Sequence, residues 1–141
     1  MIGQVCTKPA VTTSAEASIE AAARLMRARN VGALVVAKNG KAKGILTDRD
    51  IAMEVVAKGK DPATVRVGQV MRKPPTVIRE NRGILDATKI LGAKGVRRLP
   101  VVNNGGKLVG IIALDDLLML LGSEMGHIAT ALSRGLRRAR I

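Results

Sequence analysis

The 141-residue chain contains no phenylalanine, tryptophan or tyrosine. Its interior must therefore be filled by Val, Ile, Leu, Met and Ala, and it has no ring on which a base could stack. That excludes the RNA-recognition modules and single-strand binders that depend on an aromatic platform. Cys6 is the only cysteine, so neither an internal disulfide nor a thiolate metal cluster can form. His127 is the only histidine, which excludes the usual zinc sites and a histidine-rich catalytic centre. No apolar run approaches the length of a membrane span. Met1-Ile2-Gly3-Gln4 lacks the charged region and apolar stretch of a secretory signal. These absences predict a soluble, cytoplasmic protein with no membrane partner. The phosphate-binding Gly-x-x-x-x-Gly-Lys-Ser/Thr loop and the dinucleotide-binding Gly-x-Gly-x-x-Gly fingerprint are missing as well. Asp115-Asp116 suits a capping role, and no nucleophile–base set is visible. Neither an enzyme nor a metal or cofactor site is expected.

The residues present describe a globular chain, 47% apolar and 25% charged. Its length suits one ordinary domain or two very small units sharing a core. Acidic residues are few, 11 against 24 basic ones, for a net charge of +13. The excess is spread out: +4 over residues 1–65, +6 over 66–122 and +3 over 123–141. A basic surface favours anionic partners such as nucleotides, nucleic acid or acidic membranes.

The chain repeats itself. Val5-Cys6-Thr7-Lys8-Pro9 is answered 65 residues later by Val70-Met71-Arg72-Lys73-Pro74. An amphipathic helix is predicted after each, with Ile19, Ala22, Ala23 and Met26 on one face of the first and Ile84, Ala87, Thr88 and Leu91 on one face of the second. Ser14 and Asn81 are the expected N-caps. Apolar hairpins come next. Leu34–Ala37 turns through Asn39-Gly40 into Gly44-Ile45-Leu46, and Leu99–Val102 turns through Asn103-Asn104-Gly105-Gly106 into Leu108–Ile112. Both copies then enter a helix, at Asp48 and near Asp115. Each unit reads strand, helix, strand, strand, helix, joined by the stretch from Lys58 to Val67.

The most chemically suggestive stretch is Gly44-Ile45-Leu46-Thr47-Asp48-Arg49-Asp50, where a buried strand is expected to turn into a helix. Thr47 and Asp50 have the spacing of a capping box. The same geometry offers an anion the N–H groups and positive end of a helix, a hydroxyl for a phosphate and a carboxylate for ribose hydroxyls.

The ordered set, present twice, resembles a tandem pair of cystathionine-beta-synthase (CBS) domains, the arrangement called a Bateman module. The resemblance covers about residues 3–124. It rests on the Val-Met-Arg-Lys-Pro opening, the Arg97-Arg98-Leu99-Pro100-Val101-Val102 strand, the Asn-Gly turns and the Gly-x-x-Thr-x-x-Asp stretch. It implies an α/β (α+β) fold of two pseudo-symmetric β-α-β-β-α repeats, residues 1–62 and 63–124, packed as one module, with 125–141 a basic C-terminal helix or tail. It also implies two clefts between the copies, adenosine-containing ligands (AMP first, then ADP or ATP) and a homodimer of modules. By that resemblance one cleft takes Thr47 and Asp50 with Thr76, Val77, Ile78, Arg97, Arg98 and Pro100. Asp50 would hold the ribose, Thr76 to Ile78 the adenine, and the two guanidiniums the phosphate. Arg49 is a further candidate.

The opposite cleft retains Thr12, Thr13 and Asp116, but Ala113 replaces the hydroxyl of Thr47, and Gly32 and Ala33 replace both arginines. One strong nucleotide site per chain is expected. The leading reading is thus a non-catalytic adenine-nucleotide sensor acting on an effector protein. The rival is weak nucleic-acid binding through Ser133-Arg134-Gly135-Leu136-Arg137-Arg138-Ala139-Arg140. Ile128, Leu132 and Leu136 predict an amphipathic helix there, broken or weakened at Gly135.

Overall fold

The computed structural model describes residues 1–139, with side chains to Leu136. Arg140, one of the four tail arginines, lies outside the described residues, as do the side chains of Arg137 and Arg138.

The elements follow the repeat. A helical turn α1 (Ile2–Val5) precedes β1 (Thr12–Thr13), α2 (Ile19–Arg29), β2 (Ala33–Lys38), β3 (Lys41–Thr47) and α3 (Asp48–Ile51), which runs on as a wider π turn to Val56. A short 3-10 turn (Val67–Gln69) opens the second copy, followed by β4 (Ile78–Arg79), α4 (Ile84–Lys94), β5 (Arg98–Val102), β6 (Leu108–Ala113) and α5 (Leu114–Ala139). Each copy builds a three-stranded mixed sheet, in the orders β1-β2-β3 and β4-β5-β6. The first pair in each is parallel and the second antiparallel.

The expected hairpins form for the expected reason. Asn39 and Gly40 both take positive φ, 53° and 76°, the backbone that a tight turn between twisted strands requires. Both helices start later than expected. Ser18, not Ser14, caps α2 by accepting from Ala21 N at 3.0 Å. Gly83, not Asn81, precedes α4, where the Asp86 carboxylate accepts from Gly83 N at 3.2 Å. In each case the helix begins at the first residue of the core-facing stripe, Ile19 or Ile84, and the polar residues upstream remain in the entering turn.

The two copies exchange their entrance segments. Ile2 is fully buried among Ile78, Leu91, Leu99, Ile112 and Leu117, all from the second copy. Val67, Val70 and Met71 pack instead among Ile19, Leu34 and Leu46 of the first. Thr7 bridges Ile111 and Arg72 bridges Ile45 in matching fashion. The exchange explains the glycine that opens each Gly-x-x pattern. A Cβ on Gly44 would stand 2.9 Å from the carbonyl oxygen of Arg72, and one on Gly110 would stand 2.5 Å from that of Thr7. Only a residue without a side chain lets the crossing segment lie flat on the strand. Burying Ile2 removes about 1.5–3 kcal/mol of apolar surface cost, so each half depends on the other for part of its core.

Candidate functional site

The exchange leaves a cavity of about 510 Å³ where the end of β3 faces the start of β5. Ile45, Thr47, Asp48 and Arg49 line it from the first copy, and Arg72, Thr76, Gly95, Val96, Arg97, Arg98 and Pro100 from the second.

Thr47 ends β3 and caps α3. Its hydroxyl accepts from Asp50 N at 3.1 Å, and its own N–H donates to Asp50 Oδ2 at 3.0 Å, a complete capping box. Asp50 is 5% exposed, and its second oxygen accepts from Arg72 Nε at 3.0 Å. The carboxylate therefore faces a smaller neighbouring cavity of about 190 Å³ beside Glu54, Lys60 and Gln69. Arg72, with 64% of its side chain exposed, lines both cavities and stands between them. The carboxylate on the wall of the larger cavity is Asp48, whose Oδ1 accepts from Arg49 N at 2.8 Å.

Arg98 opens β5 and Arg97 immediately precedes it, and both line the same cavity. Arg97 reaches Asp115 at 3.3 Å, an exposed pair of small energetic weight. Arg98 extends toward the backbone of Gly32, where a Cβ would sit 3.2 Å from its Nη2 and 3.1 Å from Asp48 Oδ2. The small residue at position 32, one of the two that replace arginines in the first copy, thus leaves room for a cation and a carboxylate from opposite copies.

Of the candidates for this cleft, Thr47, Arg49, Thr76, Arg97, Arg98 and Pro100 share the cavity. Asp50, Val77 and Ile78 do not line it. Ile78 pairs with Val101 across the parallel strands, and its side chain enters the second core at 2% exposure. Val77 is exposed at the strand's entrance. Arg72 was absent from the candidates, yet the 65-residue offset sets it opposite Thr7, the same cation asymmetry that singles out Arg97 and Arg98. Asp48, Ile45, Gly95 and Val96 carry no comparable sequence signal.

The second set of candidates is dispersed. Asp116 accepts from Ala113 N at 3.1 Å, repeating half of the Thr47–Asp50 box, and lines a groove of about 300 Å³ with Val5, Thr7 and Met119. Thr12 lines a separate cavity beside Asn39 and Gly40. Thr13 is paired with Val36, and Ala33 is buried in β2. Burial pushes the Cys6 thiol above its ordinary pKa, so it stays protonated at neutral pH. Among the described residues no group of His, Cys, Asp and Glu side chains comes together to hold a metal ion, and no helix is long and apolar enough to cross a membrane.

Two pseudo-symmetric mixed sheets that trade entrance segments around a cation-lined cleft define a tandem-repeat module. The chain belongs to the CBS-domain family, which matches it twice, over residues 2–57 and 67–123. It is similar to the CBS domain-containing protein YhcV of Bacillus subtilis, with 41% identity over 79% of this chain and 78% of that one. It is also similar to protein MK0525 of Methanopyrus kandleri, with 34% identity over 84% of this chain, which spans 61% of that relative's length. Among solved structures, its fold is shared by the CBS domain pair of protein MJ0100 in complex with 5-methylthioadenosine and S-adenosyl-L-methionine. That likeness has a TM-score of 0.79 at 24% identity and covers 88% of this chain and 97% of that one.

Proposed function

We propose that the chain is a non-catalytic, cytoplasmic sensor of an adenosine nucleotide, AMP in the first place and ADP or ATP in the second, that works as a homodimer on an effector protein. The observation that carries this reading is the gathering of Arg49, Arg72, Arg97 and Arg98 with the Thr47 hydroxyl around one cavity between the copies. Its volume falls within the range of small-molecule sites. Four guanidiniums with one carboxylate on the wall suit a phosphate better than a neutral nucleoside. The adenosine ligands of the MJ0100 domain pair support the choice of base and sugar.

In this reading Arg97 and Arg98 take the phosphate and Thr47 adds a hydrogen bond. Ile45, Val96 and Pro100 supply the apolar contact with adenine that aromatic rings provide elsewhere. Asp50 receives the ribose hydroxyls once the phosphate draws Arg72 away from its Oδ1. The energy available to signal is the difference in ligand affinity between the two arrangements of the copies. Calorimetric titration with AMP, ADP, ATP and S-adenosylmethionine tests the reading. Tighter binding of a phosphate-bearing ligand than of adenosine is expected, and binding of S-adenosylmethionine alone would replace the ligand class.

A second reading is favoured by the basic end of α5, where Arg134 is exposed and Arg137 and Arg138 follow in sequence. It is weak, sequence-independent contact with duplex phosphates. Deleting residues 133–141 should then weaken duplex binding and flatten its salt dependence.

A further inference from the structure

Helix α5 outgrows the fold it belongs to. Leu117 is fully buried in the second core and Leu120 packs against it, but from Leu121 to Leu136 every residue of the helix is exposed. Apart from the neighbouring backbone of the helix itself, no atom of the described residues lies within 4 Å of where a Cβ would stand on Gly122, Gly126 or Gly135. A projecting helix with three glycines lacks the propensity to persist alone in water. Yet α5 runs through Gly135 to Ala139 without the break that the sequence allowed there.

Its apolar residues show what stabilises it. Leu118, Leu121, Met125, Ile128 and Leu132 form a row spaced by three, four, three and four, with exposures of 59%, 37%, 66%, 55% and 64%, and Met119 and Leu136 are exposed beside it. This is the 3.5-residue period of a seam that meets another helix. Charge along the helix then selects the partner. Residues 114–126 carry three acidic groups and no basic one, and residues 127–139 carry three arginines and no acidic group. The helix is complementary to itself reversed. A parallel pair would set arginines against arginines.

We infer that α5 pairs antiparallel with α5 of a second copy of this chain, about a two-fold axis level with Gly126 and His127. In that register Met125 faces the partner's Ile128 and Leu121 faces the partner's Leu132. Leu118 falls opposite the partner's Gly135, a large residue against a small one. Asp115 and Asp116 come level with the partner's Arg138 and the partner's Arg137. The two-fold symmetry makes one surface serve both chains. The inference rests on the dimeric part of the reading above and names the surface that makes the dimer.

Sedimentation equilibrium of the full chain at tens of micromolar should give a dimer. Ile128→Asp, at a position exposed in the single chain, should give a monomer with the far-ultraviolet circular dichroism of a folded module. Orientation is read in a Cys6→Ala background. Leu121→Cys and Leu132→Cys chains, mixed, should form the 121–132 disulfide and not the two like-with-like disulfides. A monomeric parent chain overturns both the inference and the dimer. A dimer that survives Ile128→Asp, or like-with-like cross-links, overturns the antiparallel pairing and leaves the dimer of modules standing. Cosedimentation of a monomeric chain with phosphatidylglycerol vesicles, abolished by Ile128→Asp, would assign the seam to a lipid surface instead.

Discussion

Arg72 links the two cavities through a single side chain. Its Nε donates to Asp50, a carboxylate already committed to a helix cap, while the residue also lines the larger cavity. Arg72→Gln keeps a donor but removes the charge. It should weaken AMP by about tenfold or more, from the roughly 1.5–3 kcal/mol of a charge-assisted hydrogen bond, and adenosine much less. Paired calorimetric titrations with the two ligands check this, and an equal loss for both would remove Arg72 from the phosphate site. Cys6 carries a prediction of its own. Burial holds its thiol in the protonated form, so iodoacetamide should modify it slowly in the native protein at pH ~8, near the ordinary thiol pKa, and rapidly in denaturant. Sequence alone could not separate the two roles of the Thr47–Asp50 pattern, because a cap and a ribose site need the same residues at the same spacing. Arg97 and Arg98 were legible because the repeat supplied an internal control, Gly32 and Ala33, at matched positions. Arg72 had the control of Thr7, but it lies in the opening motif, whose partner in space is set only by the exchange of segments.

The exchange itself left little trace in the sequence. Met1–Val5 is too short to show a period, and nothing local says that Ile2 belongs to the core of the other copy. Two glycines record it. Gly110→Ala must push aside the Thr7 carbonyl oxygen at 2.5 Å and the Cys6 sulfur at 2.8 Å. Such overpacking should cost about 1–3 kcal/mol. Gly92, inside α4 with nothing near its Cβ position, is the matched control. Gly92→Ala should stabilise by about 0.5–1 kcal/mol through helix propensity alone. Thermal melts of the two variants should move in opposite directions. The start of α4 adds a pH dependence. Asp86 accepts from Arg82 Nε and Gly83 N, and these bonds, that from Arg82 first, hold its carboxyl below the ordinary value. A carboxylate with a lowered folded pKa stabilises above its unfolded pKa, and that contribution is lost as pH falls through the folded value. The melting gap between the parent chain and Asp86→Asn should therefore be open at pH 7 and close below about pH 4.

For the whole molecule, pseudo-symmetry of fold does not extend to chemistry. Both sheets, both hairpins and both exchanged segments repeat, yet the guanidiniums of Arg72, Arg97 and Arg98 gather in one cleft, while their counterparts are Thr7, Gly32 and Ala33. The cap is asymmetric too. Thr47 and Asp50 bond reciprocally, whereas Asp116 accepts from Ala113 N and finds no hydroxyl in return. An anionic ligand should therefore bind once per chain. Asp50→Ala removes the carboxylate proposed to accept the ribose hydroxyls, and on that proposal affinity should fall about tenfold or more. The same change at Asp116 removes one exposed cap bond and should leave the first site's affinity nearly unchanged. Arg97→Ala and Arg98→Ala should penalise AMP more than adenosine, which has no phosphate to pair with. Asp50→Ala also releases Arg72 and opens one half of a helix cap, so a loss of fold must be told apart from a loss of contact. Asp50→Asn serves that purpose. It keeps an acceptor for Thr47 N while removing the charge, and it should recover most of the melting temperature with little of the affinity. Two equivalent sites per chain, or a larger affinity loss at Asp116 than at Asp50, would transfer the ligand to the other cleft or to both.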